Sequence, residues 1–201
     1  MKRGTAVVME GIDGAGTETQ SKLLLDYLKN KGIPAERIYY PDYTGPIGEA
    51  LHNYLHKGFN LSVNTQFLLF AGDMVKDVEK IKKWTEEGKT VILDRYFTST
   101  LAYQCLRGFS LDKALKFAEI FGIPKPDIII YLKVSPETSM KRKFKEKNNL
   151  DRNEENKAFL EKVSKSYENL IEKDTFGKWF VIDGEKNKEE IFSEIKNILK
   201  I

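Results

Sequence analysis

Short apolar runs alternate along the chain with longer stretches in which apolar residues recur every three or four positions. This alternation predicts a mostly parallel sheet flanked by helices. The predicted strands are Ala6–Glu10, Ala35–Tyr40, Thr90–Asp94, Ile128–Lys133 and Trp179–Ile182. The predicted helices are Thr19–Lys31, Ile47–Lys57, Val63–Glu87, Thr98–Gln104, Ser110–Phe121, Pro136–Lys145, Asn153–Glu172 and Lys188–Lys200. The pattern therefore predicts a three-layer α/β fold in a single domain, residues 1–201.

Composition narrows the classes of protein that fit this pattern. The 201 residues are 41% hydrophobic, and 33 Lys and Arg against 30 Asp and Glu give a net charge of +3, so we expect no nucleic-acid partner. A single cysteine, Cys105, cannot form an intramolecular disulfide, and Met1 to Gly4 lead into an apolar strand instead of a secretory signal. No apolar run approaches the roughly 20 residues that span a bilayer. We expect a cytoplasmic protein with no membrane partner.

A glycine-rich segment, Gly11 to Gln20, follows the first predicted strand and precedes a helical stretch. Gly11 and Gly16 have the spacing of a phosphate-binding loop (P-loop), whose backbone N–H groups and following helix N-terminus bind polyphosphates. That pattern next requires Lys and then Ser or Thr, whereas this chain has Thr17 and Glu18. Glu18 offers carboxylate oxygens to Mg²⁺. The alternative interpretation is a turn that only joins a strand to a helix.

Six segments, in order along the chain, resemble those of the thymidylate kinase family of P-loop nucleoside monophosphate kinases. They are Glu10–Gln20, Tyr40–Gly45, Phe67–Asp73, Asp94–Gln104, Pro124–Asp127 and Leu150–Arg152 with Glu154. The resemblance covers nearly the whole chain. It implies a P-loop NTPase fold, a homodimer, and transfer of the γ-phosphoryl of Mg-ATP to dTMP, giving dTDP and ADP on the route to dTTP.

The resemblance also implies an acceptor site. Arg95 would bind the acceptor phosphate, because it follows a strand end, where ligands gather in open α/β sheets. Phe70 would stack on the base, although its apolar neighbours make core packing the ordinary explanation. Tyr103 would fill the space below the sugar and disfavour a 2′-hydroxyl. The expected acceptor-site residues are Tyr40, Pro41, Tyr43, Phe70, Met74, Arg95, Thr100, Tyr103 and Gln104.

Two carboxylates stand at the ends of predicted neighbouring strands. Asp13 and Asp94 are suited to hold Mg²⁺ or a sugar hydroxyl, and Asp94 and Glu18 are the expected metal ligands. A local ion pair or cap is the alternative role for Asp94 and Arg95. The resemblance implies that Asp13 lies near the sugar and both phosphates. The expected catalytic residues are Asp13, Asp94, Arg95 and Arg152.

A basic segment at about residues 141–152 resembles the family's lid. A closing lid brings cations to the phosphates, so we expect this one to offset the missing loop lysine. Its alternative role is a solvated helix end. Arg142 matches the position that stacks on the donor adenine, while Lys145, Lys147 and Arg152 would meet the polyphosphate. The expected ATP-binding residues are Gly11, Gly14, Ala15, Gly16, Thr17, Glu18, Thr19, Arg142, Lys145 and Lys147.

Two departures from the family pattern leave alternatives open. Met74 stands where the family usually has an arginine that binds a carbonyl oxygen of thymine, and a thioether cannot donate that hydrogen bond. Uridylate, deoxyuridylate or another pyrimidine nucleotide is therefore an alternative acceptor. Loss of the loop lysine leaves open a nucleotide-binding protein without kinase activity.

Overall fold

The computed structural model describes residues 3–56, 60–146, 153 and 156–201. Within these ranges the strands are β1 (Ala6–Glu10), β2 (Ala35–Tyr39), β3 (Thr90–Asp94), β4 (Ile128–Lys133) and β5 (Trp179–Asp183). The helices are α1 (Thr17–Asn30), α2 (Pro46–His56), α3 (Val63–Val75), α4 (Val78–Glu86), α5 (Phe97–Leu106), α6 (Leu111–Ile120), α7 (Pro136–Glu146), α8 (Lys157–Glu172) and α9 (Lys188–Leu199). All five predicted strands are confirmed to within one residue.

The strands form one sheet in the order β2-β3-β1-β4-β5, and all four pairings are parallel. The central strand β1 is buried along its whole length, as the apolar run at its position requires when helices cover both faces of a sheet. The chain leaves β1 toward β2 on one side, and leaves β4 toward β5 on the other. Ligands bind outside the carboxyl ends of strands at such a change of direction.

The helices that flank the sheet form two packed groups, one around α1 and one around α5. Helix α1 packs against β2, β3 and α9, while α5 packs against α3 and α8. Phe67 of α3 stacks on Phe109 with ring centroids 3.8 Å apart, which anchors α3 to the core. Cys105 of α5 is half-buried against the same core. Across the described part of the chain, no helix combines the length and apolar character that crossing a bilayer would need.

The prediction of one helix over Val63–Glu87 is wrong, because the structure has two helices, α3 and α4, in this range. Asp77 leaves the helical conformation at φ −104° and ψ 0°. Lys76 stabilises the break, since its Nζ lies 2.9 Å from the Asp73 carboxylate and 2.8 Å from that of Asp77. No Gly or Pro marks this junction, so the pattern of apolar residues runs through it.

Two helix starts also differ from the prediction. Helix α1 begins at Thr17 instead of Thr19, which brings Thr17, Glu18 and Thr19 into its first turn. Helix α8 begins at Lys157, because the Asn156 side chain accepts the Phe159 N–H at 3.0 Å and caps the helix there. The predicted start at Asn153 is therefore wrong by one turn.

Candidate active site

The glycine-rich segment forms a tight turn that ends in a helix N-terminus. Gly14 and Gly16 have φ of 78° and 97°, a conformation that favours glycine, and Gly16 is the N-cap of α1. No side chain caps this helix. The N–H groups of its first turn therefore remain available to an anion, as a phosphate-binding loop requires.

Helix α7 packs directly on this loop. The Ser139 hydroxyl donates to the Asp13 carbonyl oxygen, and a Cβ at Gly14 would lie 2.7 Å from the Ser139 carbonyl oxygen. Arg142 donates to the carbonyl oxygens of Gly14 at 3.4 Å and Gly184 at 2.9 Å. Arg142 therefore joins the loop to the turn after β5. Sequence reasoning missed Ser139, since one serine in a polar helix gives no signal.

A cleft opens beside the loop, between it, α3 and α5. All nine residues expected to form the acceptor site line this cleft: Tyr40, Pro41, Tyr43, Phe70, Met74, Arg95, Thr100, Tyr103 and Gln104. Asp13 lines it as well, together with three residues outside the expected acceptor site, Leu55, Ser99 and Asn153. The structure thus brings these residues together, while their contacts with a ligand remain predictions.

Arg95 occupies the junction between the loop and the cleft. Its Nη1 donates to the Gly11 carbonyl oxygen at 2.9 Å and its Nη2 to Asp13 Oδ1 at 2.6 Å. Its backbone has φ 61°, an uncommon conformation for a residue with a side chain and one that clusters at functional sites. Burial alone would lower the pKa of Arg95, but Asp13, followed by Tyr103, Tyr167 and Glu10, raises that pKa well above its usual value. The guanidinium is a fixed cation at the cleft.

A buried carboxylate, Glu10, organises the start of α5. It accepts hydrogen bonds from the Tyr96 N–H at 3.1 Å, the Thr98 hydroxyl at 2.6 Å, the Ser99 hydroxyl at 2.6 Å and the Tyr167 hydroxyl at 2.7 Å. Burial raises the pKa of Glu10, while Arg95 and the hydroxyl donors oppose that rise. These bonds fix the backbone next to Arg95. Sequence reasoning assigned no role to Glu10, because a glutamate that ends an apolar strand reads as a surface residue.

Phe67 and Phe70 of α3 differ in burial, because one belongs to the core and the other to the cleft. Phe67 is 1% exposed and belongs to the core, whereas Phe70, one turn later, is half-buried and lines the cleft. Thr100 Oγ1 lies 3.9 Å from the sulfur of Met74, so these two residues contact each other at the cleft wall. The Tyr103 hydroxyl donates to Asp13 Oδ2 at 3.1 Å. Asp13 is therefore held from two sides, by Arg95 and by Tyr103.

The two expected metal ligands each have a cationic partner. Glu18 Oε1 accepts from Lys22 at 2.6 Å, and Asp94 Oδ2 accepts from Arg37 at 2.5 Å. The second oxygen of each carboxylate has no protein partner among the described residues, and neither oxygen is fully buried. Hard carboxylate oxygens of this kind fit Mg²⁺ or its bound water. Among the described residues, no group of three or more acidic, His or Cys side chains converges on one point.

The lid is described only in part. Lys147 and Arg152 lie outside the described residues, as does the Leu150–Arg152 segment with Glu154. Lys145 is exposed at the end of α7. The expected contacts of these cations with a polyphosphate remain predictions.

Comparison with known proteins places the chain in a family. The family model described as thymidylate kinase matches residues 9–195. The chain belongs to the thymidylate kinase family. The match spans the end of β1, the loop, the cleft and the other four strands, so the site described above lies within the matched region.

Individual thymidylate kinases align with nearly the full chain. The thymidylate kinase of Danio rerio is 34% identical over 198 residues, covering 98% of this chain and 90% of its own. The human thymidylate kinase is 32% identical over 196 residues, covering 97% and 89%. A probable thymidylate kinase of Methanococcus aeolicus is 38% identical over 199 residues, covering 94% and 92%. The fold is that of the solved thymidylate kinase from Candida albicans, with a TM-score of 0.79 and 24% identity, covering 98% of this chain and 92% of that one.

Proposed function

We propose that this chain transfers the γ-phosphoryl group of Mg-ATP to the 5′-phosphate of dTMP, giving dTDP and ADP. The observation that carries this proposal is that Arg95 contacts the phosphate loop and also lines the cleft. The loop at the start of α1 offers uncapped N–H groups, the cleft offers aromatic walls, and Arg95 lies between them. Family membership supports the same reaction.

The residues divide the work between two nucleotides. The first turn of α1 binds the donor phosphates, and Arg95 grips the acceptor phosphate and draws it toward the donor. Phe70 stacks on the base, and Tyr103 packs below the sugar. Asp13, held by Arg95 and Tyr103, keeps the guanidinium in place. The acceptor phosphate oxygen is already a nucleophile at neutral pH, so the proposed mechanism needs no general base and no covalent intermediate.

Magnesium belongs to this proposal as the ion of Mg-ATP. When bound, Mg²⁺ neutralises the phosphate charge that builds up during transfer. Glu18 and Asp94 would hold it through their second oxygens. Glu18 beside a triphosphate is repulsive without that ion, so we expect strong magnesium dependence.

A second acceptor class follows from one contact in the cleft. Met74 is 2% exposed and touches Thr100 at the cleft wall. Neither of these side chains carries a charge, so this wall offers the base no charged hydrogen-bond donor. Discrimination between thymine and uracil would then rest on packing around one methyl group, which is worth about tenfold to two-hundredfold. Deoxyuridylate is therefore the alternative acceptor to test beside thymidylate.

A coupled ADP-release assay tests the proposal directly. We expect turnover with dTMP, weaker turnover with dUMP and UMP, and loss of about a thousandfold in kcat/KM for Arg95→Ala. Lys133→Ala removes an exposed lysine at the end of β4 that pairs with Glu168, and it serves as the control. ATP binding without turnover on any monophosphate would instead identify a nucleotide-binding protein with an inactive loop.

The proposal also covers the oligomeric state and the cellular location of the protein. We expect a homodimer, and apolar side chains on α3 and α6 support it: Leu68 is 57% exposed and Ile120 67%. A dimer would cover these side chains. A cytoplasmic location stays a prediction from the sequence.

A further inference from the structure

Thr17 removes a positive charge from the phosphate loop, and the structure supplies another cation close by. Thr17 is the first residue of α1, where the loop pattern has lysine. Arg37 belongs to β2, yet its side chain reaches α1 one turn after Thr17, where it contacts Ser21.

Two protein contacts fix the Arg37 guanidinium between α1 and the sheet. Its Nε donates to the Ser21 hydroxyl at 2.7 Å, and Ser21 lies one turn after Thr17 on α1. Its Nη2 donates to Asp94 Oδ2 at 2.5 Å, at the carboxyl end of β3. The side chain is 12% exposed. The guanidinium is therefore held between α1 and the end of β3, next to an expected metal ligand.

The third nitrogen of Arg37 remains available. Nη1 has no acceptor among the described residues, and it does not belong to the fully buried atoms that lack a partner, so it is not completely enclosed by protein. Arginine can satisfy two protein acceptors with one edge and still present a donor, which the single ammonium of lysine does poorly.

We propose that Arg37 takes over the role of the missing loop lysine and donates through Nη1 to a terminal phosphate of the donor nucleoside triphosphate. This inference rests on the proposed function for the identity of the donor site. The charge arrives from the sheet below the loop instead of from the loop itself. Because Ser21 and Asp94 already orient the guanidinium, little side-chain entropy is lost when the phosphate binds.

A double-mutant cycle between positions 17 and 37 tests this exchange. Titration calorimetry with Mg-ATP, without acceptor, is run on the wild type, Arg37→Met, Thr17→Lys and the double variant. We expect Arg37→Met to weaken Mg-ATP binding by about tenfold to a hundredfold, the range for a charged hydrogen bond. Thr17→Lys should restore most of that loss in the double variant, so its effect on affinity should be about tenfold larger there than in the wild-type background. Lys29→Met, which removes an exposed lysine from the last turn of α1, should leave binding unchanged.

Further measurements separate a nucleotide contact from a structural role. Arg37→Lys keeps a cation beside Asp94, so it should fold like the wild type and bind Mg-ATP with intermediate affinity. Equal effects of Thr17→Lys in both backgrounds would overturn the proposal, as would Mg-ATP affinity that survives Arg37→Met in a folded protein. Loss and rescue seen at Lys143→Met instead of Arg37→Met would assign the role to α7 and also overturn it.

The outcome for Arg37 is independent of the acceptor. A wild type that binds Mg-ATP but phosphorylates no deoxynucleotide would end the proposed function. The affinity ratio between the wild type and Arg37→Met would still decide whether Arg37 binds the donor phosphate.

Discussion

Tyr103 combines a polar and an apolar contact on the cleft side of α5. Its hydroxyl holds Asp13, and its ring lies 6.2 Å from that of Phe159 and 6.3 Å from that of Tyr167. Two different substitutions of Tyr103 distinguish the role of its hydroxyl from the role of its ring. Tyr103→Phe removes the hydroxyl that donates to Asp13 and keeps the ring, while Tyr103→Ala opens the space that we assign to the missing 2′-hydroxyl.

We expect Tyr103→Ala to raise the ratio of kcat/KM for UMP over dUMP by about tenfold, because the ring no longer excludes the ribose hydroxyl. Tyr103→Phe should change this ratio by less than about twofold, since the ring is retained. Steady-state kinetics with both nucleotides measures the two ratios. The same ratio in both variants would show that the Tyr103 ring does not discriminate between the sugars.

At the residue scale, site residues that belong to a sequence motif could be predicted. Contacts between residues far apart in the sequence could not, because only folding brings those residues together. The nine cleft residues lie in segments that resemble family motifs, and the resemblance was enough to expect them together. Arg37 and Asp94 are 57 residues apart, and Glu10 and Tyr167 are 157 apart. Their pairing depends on strand register and on the packing of α8, and no local pattern encodes it.

The contact between α7 and the phosphate loop belongs to the element scale. Gly14 has φ 78° and its missing Cβ makes room for the Ser139 carbonyl oxygen. Gly108 has φ 105°, but nothing lies within 4 Å of the position of its missing Cβ. Comparing a substitution at Gly14 with one at Gly108 therefore separates the cost of steric crowding from the cost of backbone strain.

We expect Gly108→Ala to lower the free energy of unfolding by about 1–2 kcal/mol through strain alone. Gly14→Ala should lower it by about 3 kcal/mol, because α7 must also move away from the loop. Urea denaturation measures both values. Equal losses in the two variants would mean that α7 adapts without cost, so that the loop and α7 are only loosely connected.

Helix α7 is also tied at its start. The Glu185 carboxylate accepts the Ser135 N–H at 2.8 Å and the Thr138 hydroxyl at 2.7 Å. Burial alone would raise the pKa of Glu185, but these hydrogen bonds and the charge of Arg142 lower that pKa below its usual value of 4.5. A carboxylate with a lowered pKa in the folded state stabilises the fold above its unfolded pKa.

We therefore expect Glu185→Gln to lower the Tm at pH 7, with the difference from the wild type shrinking as the pH falls below about 4.5. Scanning calorimetry at several pH values measures this difference. Glu189→Gln, an exposed glutamate in the first turn of α9, is the control. A difference that stays constant down to about pH 3 would show that the charge of Glu185 is not what stabilises α7.

At the scale of the whole molecule, exposed apolar side chains test the expected homodimer. Leu68 on α3 and Ile120 on α6 are more than half exposed, and Phe121 beside Ile120 is 48% exposed. We expect sedimentation velocity to give a dimer for the wild type and a monomer for Ile120→Glu, since a buried unpaired charge opposes association. Val181→Glu alters a 49% exposed residue of the edge strand β5 and should leave the dimer intact. A monomeric wild type would contradict the expected homodimer.

The overall fold was predictable because each strand is an apolar run between helix-length segments. Strand order was not visible in this pattern, since β1 pairs with β3 and β4 and not with β2, the next strand along the chain. The junction at Lys76 and Asp77 was invisible for a related reason: a cluster of charges, not a glycine or proline, divides α3 from α4. The sequence thus predicts elements well where apolar periodicity alone defines them.

The half-buried position of Cys105 has a practical consequence for observing this protein in motion. Burial raises the pKa of its thiol to about 11. Only the thiolate reacts with alkylating probes, so at neutral pH about one molecule in ten thousand carries the reactive form. A cysteine introduced at the exposed Lys145 would react far faster. A fluorophore or spin label can therefore be attached to the end of α7 without first removing the native cysteine.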